Sequence, residues 1–200
     1  MMNDISVLMA AVDLIPVILF FMGCISLMKA FYPQMKVAQY SAFSAGSIMV
    51  FLAGMMKVIW KFLYAFGIGD YALLSDAFFP IHSTGFLLLA ISTAAFSGKK
   101  EELHSLAVPA ITTKLPFIIL TFWGTTGFYA SMCRICFKHK QKITALFFIG
   151  AYVLDMVQVF LASKFDNSAS MNWIAEIINT FAQICLCIGA KRLYQEYQNI

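Results

Sequence analysis

Ionisable residues within apolar stretches carry the strongest chemical signal in this sequence. Lys57, His82 and Asp155 each lie in a different apolar run, where a charge costs ~2.5–3.5 kcal/mol at the centre of a membrane helix. At ~1.5 Å per helical residue, we expect all three at similar depth, with Gln158 one turn from Asp155. This layer predicts a polar site or proton relay, in which Asp155 and His82 exchange protons beside the Lys57 counter-charge. The structural alternative is a Lys57–Asp155 ion pair that only joins helices.

Two further carboxylates lie near the starts of apolar runs. Asp76 and Glu176 are predicted at opposite faces of the membrane, where they would be the two mouths of one pathway. The alternative is a solvated helix N-terminus, where the helix dipole favours a carboxylate. Asn179 and Gln183 follow Glu176 at helical spacing. They would extend a polar stripe along the last apolar run.

Prolines accompany two of the candidate residues. Asp13 precedes Pro16 by three residues, and Pro80 precedes His82 by two. A proline removes a backbone donor and frees carbonyls that can coordinate a cation or a water, although such kinks are also common packing features. We therefore add Asp13 to the predicted pathway.

Motifs for metal binding and catalysis are weak or missing. Cys133-x-x-Cys136-x-x-His139 offers three metal-type ligands, but a structural zinc site takes four. The sequence has no phosphate loop, no Gly-x-Ser-x-Gly elbow and no His-Glu-x-x-His. It predicts no metal, no cofactor and no catalytic residue.

The composition is that of a membrane protein. Hydrophobic residues make up 61% of the chain and charged residues 12%, about half of the ~25% typical of globular domains. The net charge of +4 is modest and dispersed, which does not favour nucleic-acid binding. We predict a multi-pass protein of the cell membrane, with membrane lipids as partners.

Six stretches are long enough to span the bilayer, because ~20 apolar residues are needed at ~1.5 Å each. They predict an all-α integral membrane protein with six transmembrane helices in one bundle over residues 1–200. The predicted spans are 6–30, 41–66, 72–96, 106–132, 143–163 and 170–190.

Residues 1–98 and 99–200 resemble each other at a spacing of about 100 residues. Pro16 corresponds to Pro116, and Asp76 corresponds to Glu176. Because each half has an odd number of spans, the sequence predicts a 3+3 inverted-topology repeat. The basic 134–142 loop favours both termini on the cytoplasmic side.

These features favour a small transporter or channel for a solute or ion, proton- or cation-coupled, with a polar site near the membrane midplane. A ligand-binding subunit or sensor that works with a partner protein is the alternative, and it predicts a closed pocket. A lipid-modifying enzyme is the third hypothesis, and it requires acids clustered at one interface. Homodimerisation suits so small a bundle, but no residue specifies it.

Overall fold

The computed structural model describes residues 6–98, 115–163 and 169–198, and the regular structure over these residues is entirely α-helical. The helices are α1 (Val7–Phe31), α2 (Val37–Ala65), α3 (Ala72–Asp76), α4 (Phe78–Phe96), α5 (Leu115–Lys138), α6 (Lys142–Ser163) and α7 (Ala169–Gln198). Five stretches of the described chain are long and apolar enough to cross a membrane: α1, α2, α3 with α4, α6 and α7. The protein is therefore an all-helical bundle of membrane-protein type.

Local sequence sets several helix boundaries. The Ser6 hydroxyl accepts a hydrogen bond from the Met9 amide at 3.2 Å and caps the start of α1. Gly67 and Gly98 follow α2 and α4 with φ angles of 69° and 86°, a conformation that glycine adopts without strain. Near the end of α2, Trp60 Nε1 donates to Asp70 Oδ1 at 2.8 Å. This hydrogen bond fixes the turn that follows α2 to that helix.

The long helices form a closed ring. Each packs against its neighbours along the sequence, and α7 returns to pack against α1. Short α3 packs against α2 and α4. The ring thus contains two groups of three long helices: a first half of α1, α2 and α4, and a second half of α5, α6 and α7.

The two halves run in the same direction. Gly124 of α5 lies against Phe86 of α4, and Gly127 lies against Ala90, so residue numbers rise together along both helices. Between α1 and α7, Gly23 lies against Cys187 and Phe31 against Tyr197. Both seams between the halves are therefore parallel.

These directions define two ends of the bundle. At the N-terminal end, α1, α4, α5 and α7 begin; at the C-terminal end, the same four helices finish. Ser6 and Gln198 consequently lie at opposite ends, which corrects the prediction of both termini on one side. The helix directions also correct the predicted inverted repeat. In an inverted repeat, the second half would start at the end of the bundle where α4 finishes.

The reason for this error lies between the two halves. The prediction treated residues 97–105 as a turn and began the fourth span at residue 106, on the side where the third span ends. Residues 99–114 lie outside the described part of the chain, and the described residues on either side of them, Gly98 and Leu115, lie at opposite ends.

The other predicted boundaries agree with the helices more closely. Spans 6–30, 41–66 and 143–163 differ from α1, α2 and α6 by no more than four residues, and span 72–96 covers α3 and α4. Span 106–132 begins outside the described residues and ends before α5 does. Span 170–190 is shorter than α7, which continues to Gln198.

The centre of the ring is filled mostly by aromatic and aliphatic side chains towards the C-terminal end. Phe20 of α1 reaches across to Phe86 of α4, with ring centroids 6.0 Å apart. Phe31 of α1 contacts Phe43 of neighbouring α2 and Phe96 of α4. Buried polar side chains are placed differently, and most of them that are ionisable lie nearer the N-terminal end.

Candidate functional site

A buried charged cluster joins α1, α2 and α7 near the N-terminal end. Lys61 Nζ lies 2.8 Å from Asp13 Oδ2 and 2.6 Å from Glu176 Oε1. The side chains of the three residues are only 7–8% exposed. Antiparallel packing brings the end of α2 beside the start of α1, and the parallel α1–α7 seam adds the start of α7. We name Asp13, Lys61 and Glu176 the charged triad.

The charged triad holds two carboxylates beside one ammonium group. Lys57, one turn before Lys61 on α2, lies close enough to attract both carboxylates and adds to the compensation of their charge. The second carboxylate oxygen of Glu176, Oε2, is buried and accepts no hydrogen bond from a described donor group, and the Asp13 and Glu176 carboxyl groups lie within hydrogen-bond reach of each other. Because two adjacent buried carboxylates repel each other when both are ionised, a proton or a small cation bound there would stabilise the cluster.

A second polar cluster lies deeper, entirely within the second half. Tyr129 Oη donates to Asp155 Oδ2 at 2.9 Å. Gln183 Nε2 lies 3.5 Å from Asp155 Oδ1 and 3.4 Å from Asn179 Oδ1. Asp155 is 9% exposed, and no Lys or Arg among the described residues forms an ion pair with it. We name Tyr129, Asp155 and Gln183 the carboxyl cluster.

One face of α7 connects the two clusters. Glu176 belongs to the triad, Gln183 belongs to the carboxyl cluster, and Asn179 lies between them and accepts from Gln183. The seven residues from Glu176 to Gln183 advance about 10 Å along the helix. The predicted polar stripe therefore faces into the bundle.

The polar line ends towards the C-terminal end. The same face of α7 continues beyond Gln183 with Leu186, Ala190 and Leu193, all of them 0% exposed. These side chains belong to the central apolar core. The polar line is therefore closed by apolar packing on that side.

The predicted layer of Lys57, His82 and Asp155 is not assembled among the described residues. Lys57 Nζ lies 4.9 Å from the centre of the Phe78 ring. The His82 ring stacks on Phe78 at 4.7 Å and also contacts Phe86 at 4.9 Å. The predicted Lys57–Asp155 pair does not form, because α2 and α6 are not neighbours in the ring. The position of a residue along its helix predicts its depth, but it does not predict which neighbouring helices its side chain meets.

The remaining predicted residues occupy less enclosed positions. Gln158 is partly exposed on α6, one turn from Asp155, with no hydrogen bond to another described residue. Asp76 ends α3 and is exposed. Asp76 and Glu176 lie at the same end of the bundle, which corrects the prediction of opposite faces, because α4 and α7 both begin there.

Lys61 and Tyr129 are the residues that the predicted site lacked. Lys61 lies four residues after Lys57 and is therefore close to the same helical face, a signal that two lysines in one span share a polar environment. Tyr129 had no comparable signal, since a tyrosine among apolar residues is an ordinary core residue.

Among the described residues, no group of three or more His, Cys, Asp or Glu side chains could hold a metal ion. In the cysteine and histidine motif, His139 Nε2 instead lies 3.2 Å from Tyr197 Oη. Comparison with protein-family models, curated proteins and solved structures finds no match for this chain.

Proposed function

We propose that this protein moves a small solute or ion across a membrane, coupled to a proton or another cation. The observation that carries the proposal is the row of polar side chains along one face of α7, from Glu176 of the charged triad through partly buried Asn179 to Gln183, which lies beside Asp155. Polar and ionisable groups inside membrane bundles are costly and commonly mark ion pathways or proton relays. Here they follow one face of α7 and are not scattered through the bundle.

The two adjacent carboxylates beside Lys61 give the triad a role in the coupling. A proton or cation that neutralises Glu176 weakens its attraction to Lys61, while Asp13 retains its partner. Lys61 and Asp13 belong to the first half and Glu176 to the second, so the weakened contact is one that crosses a seam between the halves. Occupancy of the triad would then shift the equilibrium between two arrangements of the halves.

In this proposal the bundle has six spans, with α5 added to the five stretches of sufficient hydropathy. The 24 residues of α5 extend about 36 Å, and the helix completes the ring between α4 and α6.

Support for a repeat comes from glycines: Gly46 and Gly85 face each other between α2 and α4. Gly150 and Gly189 lie between α6 and α7, each 104 residues later. That offset is within about one helical turn of the spacing found in the sequence, and we propose a parallel repeat in place of an inverted one.

We further propose that the C-terminal end of the bundle faces the cytoplasm. The described residues include eight exposed lysines and arginines, all at that end: Lys29, Lys36, Arg134, Lys138, Lys140, Lys142, Lys191 and Arg192. The two remaining described lysines, Lys57 and Lys61, are in α2 near the other end. Excess Lys and Arg next to membrane helices remains on the cytoplasmic side during insertion.

Epitope tags at the two termini test this orientation in intact cells. The N-terminal tag should bind antibody without permeabilisation, and the C-terminal tag only after permeabilisation. Equal behaviour of the two tags would contradict the parallel arrangement of the halves. Reversed behaviour would contradict only the cytoplasmic assignment.

Proton flux in proteoliposomes tests the transport proposal. We expect wild-type protein to dissipate an imposed pH gradient in the presence of a permeant counter-ion. Glu176→Gln and Asp155→Asn should reduce the rate to that of empty liposomes, because each removes a carboxyl group from the polar line. Glu196→Gln is the matched control, since Glu196 is exposed on the same helix and distant from the line.

The competing function is a ligand-binding subunit or sensor, which the apolar closure beyond Gln183 favours. Such a protein would retain a ligand tightly and show no flux above empty liposomes. Wild-type flux that both carboxyl variants leave unchanged would contradict the assigned pathway, provided that the variants have wild-type helical content by circular dichroism.

A further inference from the structure

A small cavity opens at the C-terminal end of the bundle, away from the polar line. It has a volume of about 180 Å³ and lies where α4, α5 and α7 finish, beside the turn between α1 and α2. Its polar walls come from Gln34, Ser97, Arg134, Lys138, His139 and Tyr197. Phe96 and Ile135 supply apolar surface, and Ile135 belongs to the buried core.

The polar groups in this cavity are those that bind anions. Arg134 and Lys138 are four residues apart on one face of α5, and the described part of the chain contributes no acidic side chain to the cavity lining. Neither residue forms an ion pair with a described carboxylate, since the ion pairs in these parts of the chain all involve Lys61. The two charges are thus available to a ligand.

The cavity walls are held in place by contacts between helices. His139 Nε2 and Tyr197 Oη lie 3.2 Å apart, and their rings are in contact with centroids at 5.2 Å. Tyr197 also packs edge-on against buried Phe31. These contacts join the end of α5 to the ends of α7 and α1. The helix ends that carry the cavity-lining residues are therefore fixed relative to one another.

Size and chemistry select the class of ligand. A volume of 180 Å³ is below the ~300–1,000 Å³ of pockets for drug-sized ligands and about six times the ~30 Å³ that one water occupies in the liquid. It suits one compact headgroup. Arginine presents a planar fork of donors that matches phosphate oxygens, and lysine adds a point charge.

We propose that this cavity binds a phosphate group, presented either by an anionic lipid headgroup or by a soluble phosphate. The eight exposed basic residues at this end attract both sources over longer distances. Arg134 and Lys138 supply the charge-assisted hydrogen bonds, and Gln34 and the His139–Tyr197 pair border the same volume. The site is independent of the proposed transport pathway, so the failure of one leaves the other standing.

The test compares wild-type protein, the cavity variant Arg134→Gln/Lys138→Gln, and the control Lys29→Gln/Lys191→Gln. The control removes two charges from the same end of the bundle without touching the cavity. Inorganic phosphate is titrated calorimetrically into the full chain in neutral detergent. Separately, each protein is reconstituted with phosphatidylcholine and phosphatidic acid, extracted, and examined for retained lipid by native mass spectrometry.

We expect the cavity variant to weaken the binding of its anion at least about tenfold, the effect of losing one charge-assisted hydrogen bond, and the control to be unaffected. Titration by inorganic phosphate would identify a soluble ligand. Selective retention of phosphatidic acid without such titration would identify a headgroup. Arg134→Lys, which keeps the charge and loses the fork, should give an intermediate effect and tests the site if the double variant fails to fold. Equal binding by all three proteins, or equal weakening in both double variants, would overturn the proposal.

Discussion

The charged triad and the carboxyl cluster place buried carboxylates in two different ways. Asp13 and Glu176 share the Lys61 ammonium group at 2.8 and 2.6 Å, whereas Asp155 has a hydroxyl and an amide as partners. The triad joins helices from both halves of the ring, and the carboxyl cluster lies within the second half. Electrostatic attraction thus holds the seam between halves, and neutral hydrogen bonds surround the deeper carboxyl group.

The sequence analysis placed Asp13, Glu176 and Asp155 in one predicted pathway, whereas their different partners in the structure indicate two roles. A contact that depends on charge can be weakened by one proton or cation, so it suits a position where parts of the molecule move. A carboxyl group held by neutral donors keeps its partners in either protonation state, so it suits a position that receives and releases a proton. Three substitutions test these contacts, and their expected effects on the free energy of unfolding decrease in the order given below.

The largest effect is expected for Lys61→Met. It removes the ammonium group that both buried carboxylates contact, and breaking a buried ion pair on one side costs about 3–5 kcal/mol. The free energy of unfolding in mixed detergent micelles measures the loss. Adding Asp13→Asn and Glu176→Gln to the same protein should recover part of it, since no buried charge then remains unpaired. If Lys61→Met lowered the free energy of unfolding no more than Lys29→Met, which replaces an exposed lysine, the ion pairs of the charged triad would be refuted.

A smaller effect is expected for Tyr129→Phe. Removal of the hydroxyl leaves Asp155 Oδ2 without its 2.9 Å donor, and an unsatisfied buried acceptor costs about 1–3 kcal/mol. The same unfolding titration applies. Combination with Asp155→Asn provides a double-mutant cycle, in which a coupling free energy near zero would show that the two side chains do not interact.

The smallest effect is expected for Lys57→Met. The ammonium of Lys57 contacts the face of Phe78, and such a contact contributes about 0.5–1 kcal/mol at a partly exposed site. Lys57 and Lys61 lie one turn apart on the same helix, so the pair is a matched comparison. An effect of Lys57→Met as large as that of Lys61→Met would contradict this ranking and would show that Lys57 contributes as much as Lys61 to holding the Asp13 and Glu176 carboxylates.

Much of the fold is visible in the sequence, because each membrane helix carries its own signal in a run of apolar residues. The start of α1 at Val7 and the end of α6 at Ser163 lie within a residue of the predicted limits. The direction of the second half carries no such signal. It depends on how α5 packs against α4 and how α7 packs against α1, and that is a property of the assembled ring.

The candidate site was predictable to the extent that it follows one helix. Glu176, Asn179 and Gln183 share a face of α7 because their spacing places them there. The partners Lys61 and Tyr129 come from other helices, and the order of helices around the ring is set by packing. Gly46 illustrates this, since a Cβ there would meet the Gly85 carbonyl oxygen at 2.7 Å. This close contact belongs to the tertiary structure, and a single glycine in a sequence does not reveal it.

The shared direction of the two halves also constrains the ancestry of the chain. A unit of three crossings finishes on the face opposite to its start, so simple head-to-tail fusion of two gene copies would turn the second copy over. If the proposed parallel repeat arose by duplication, its half-size ancestor would have worked as a pair of identical subunits standing side by side in the same orientation.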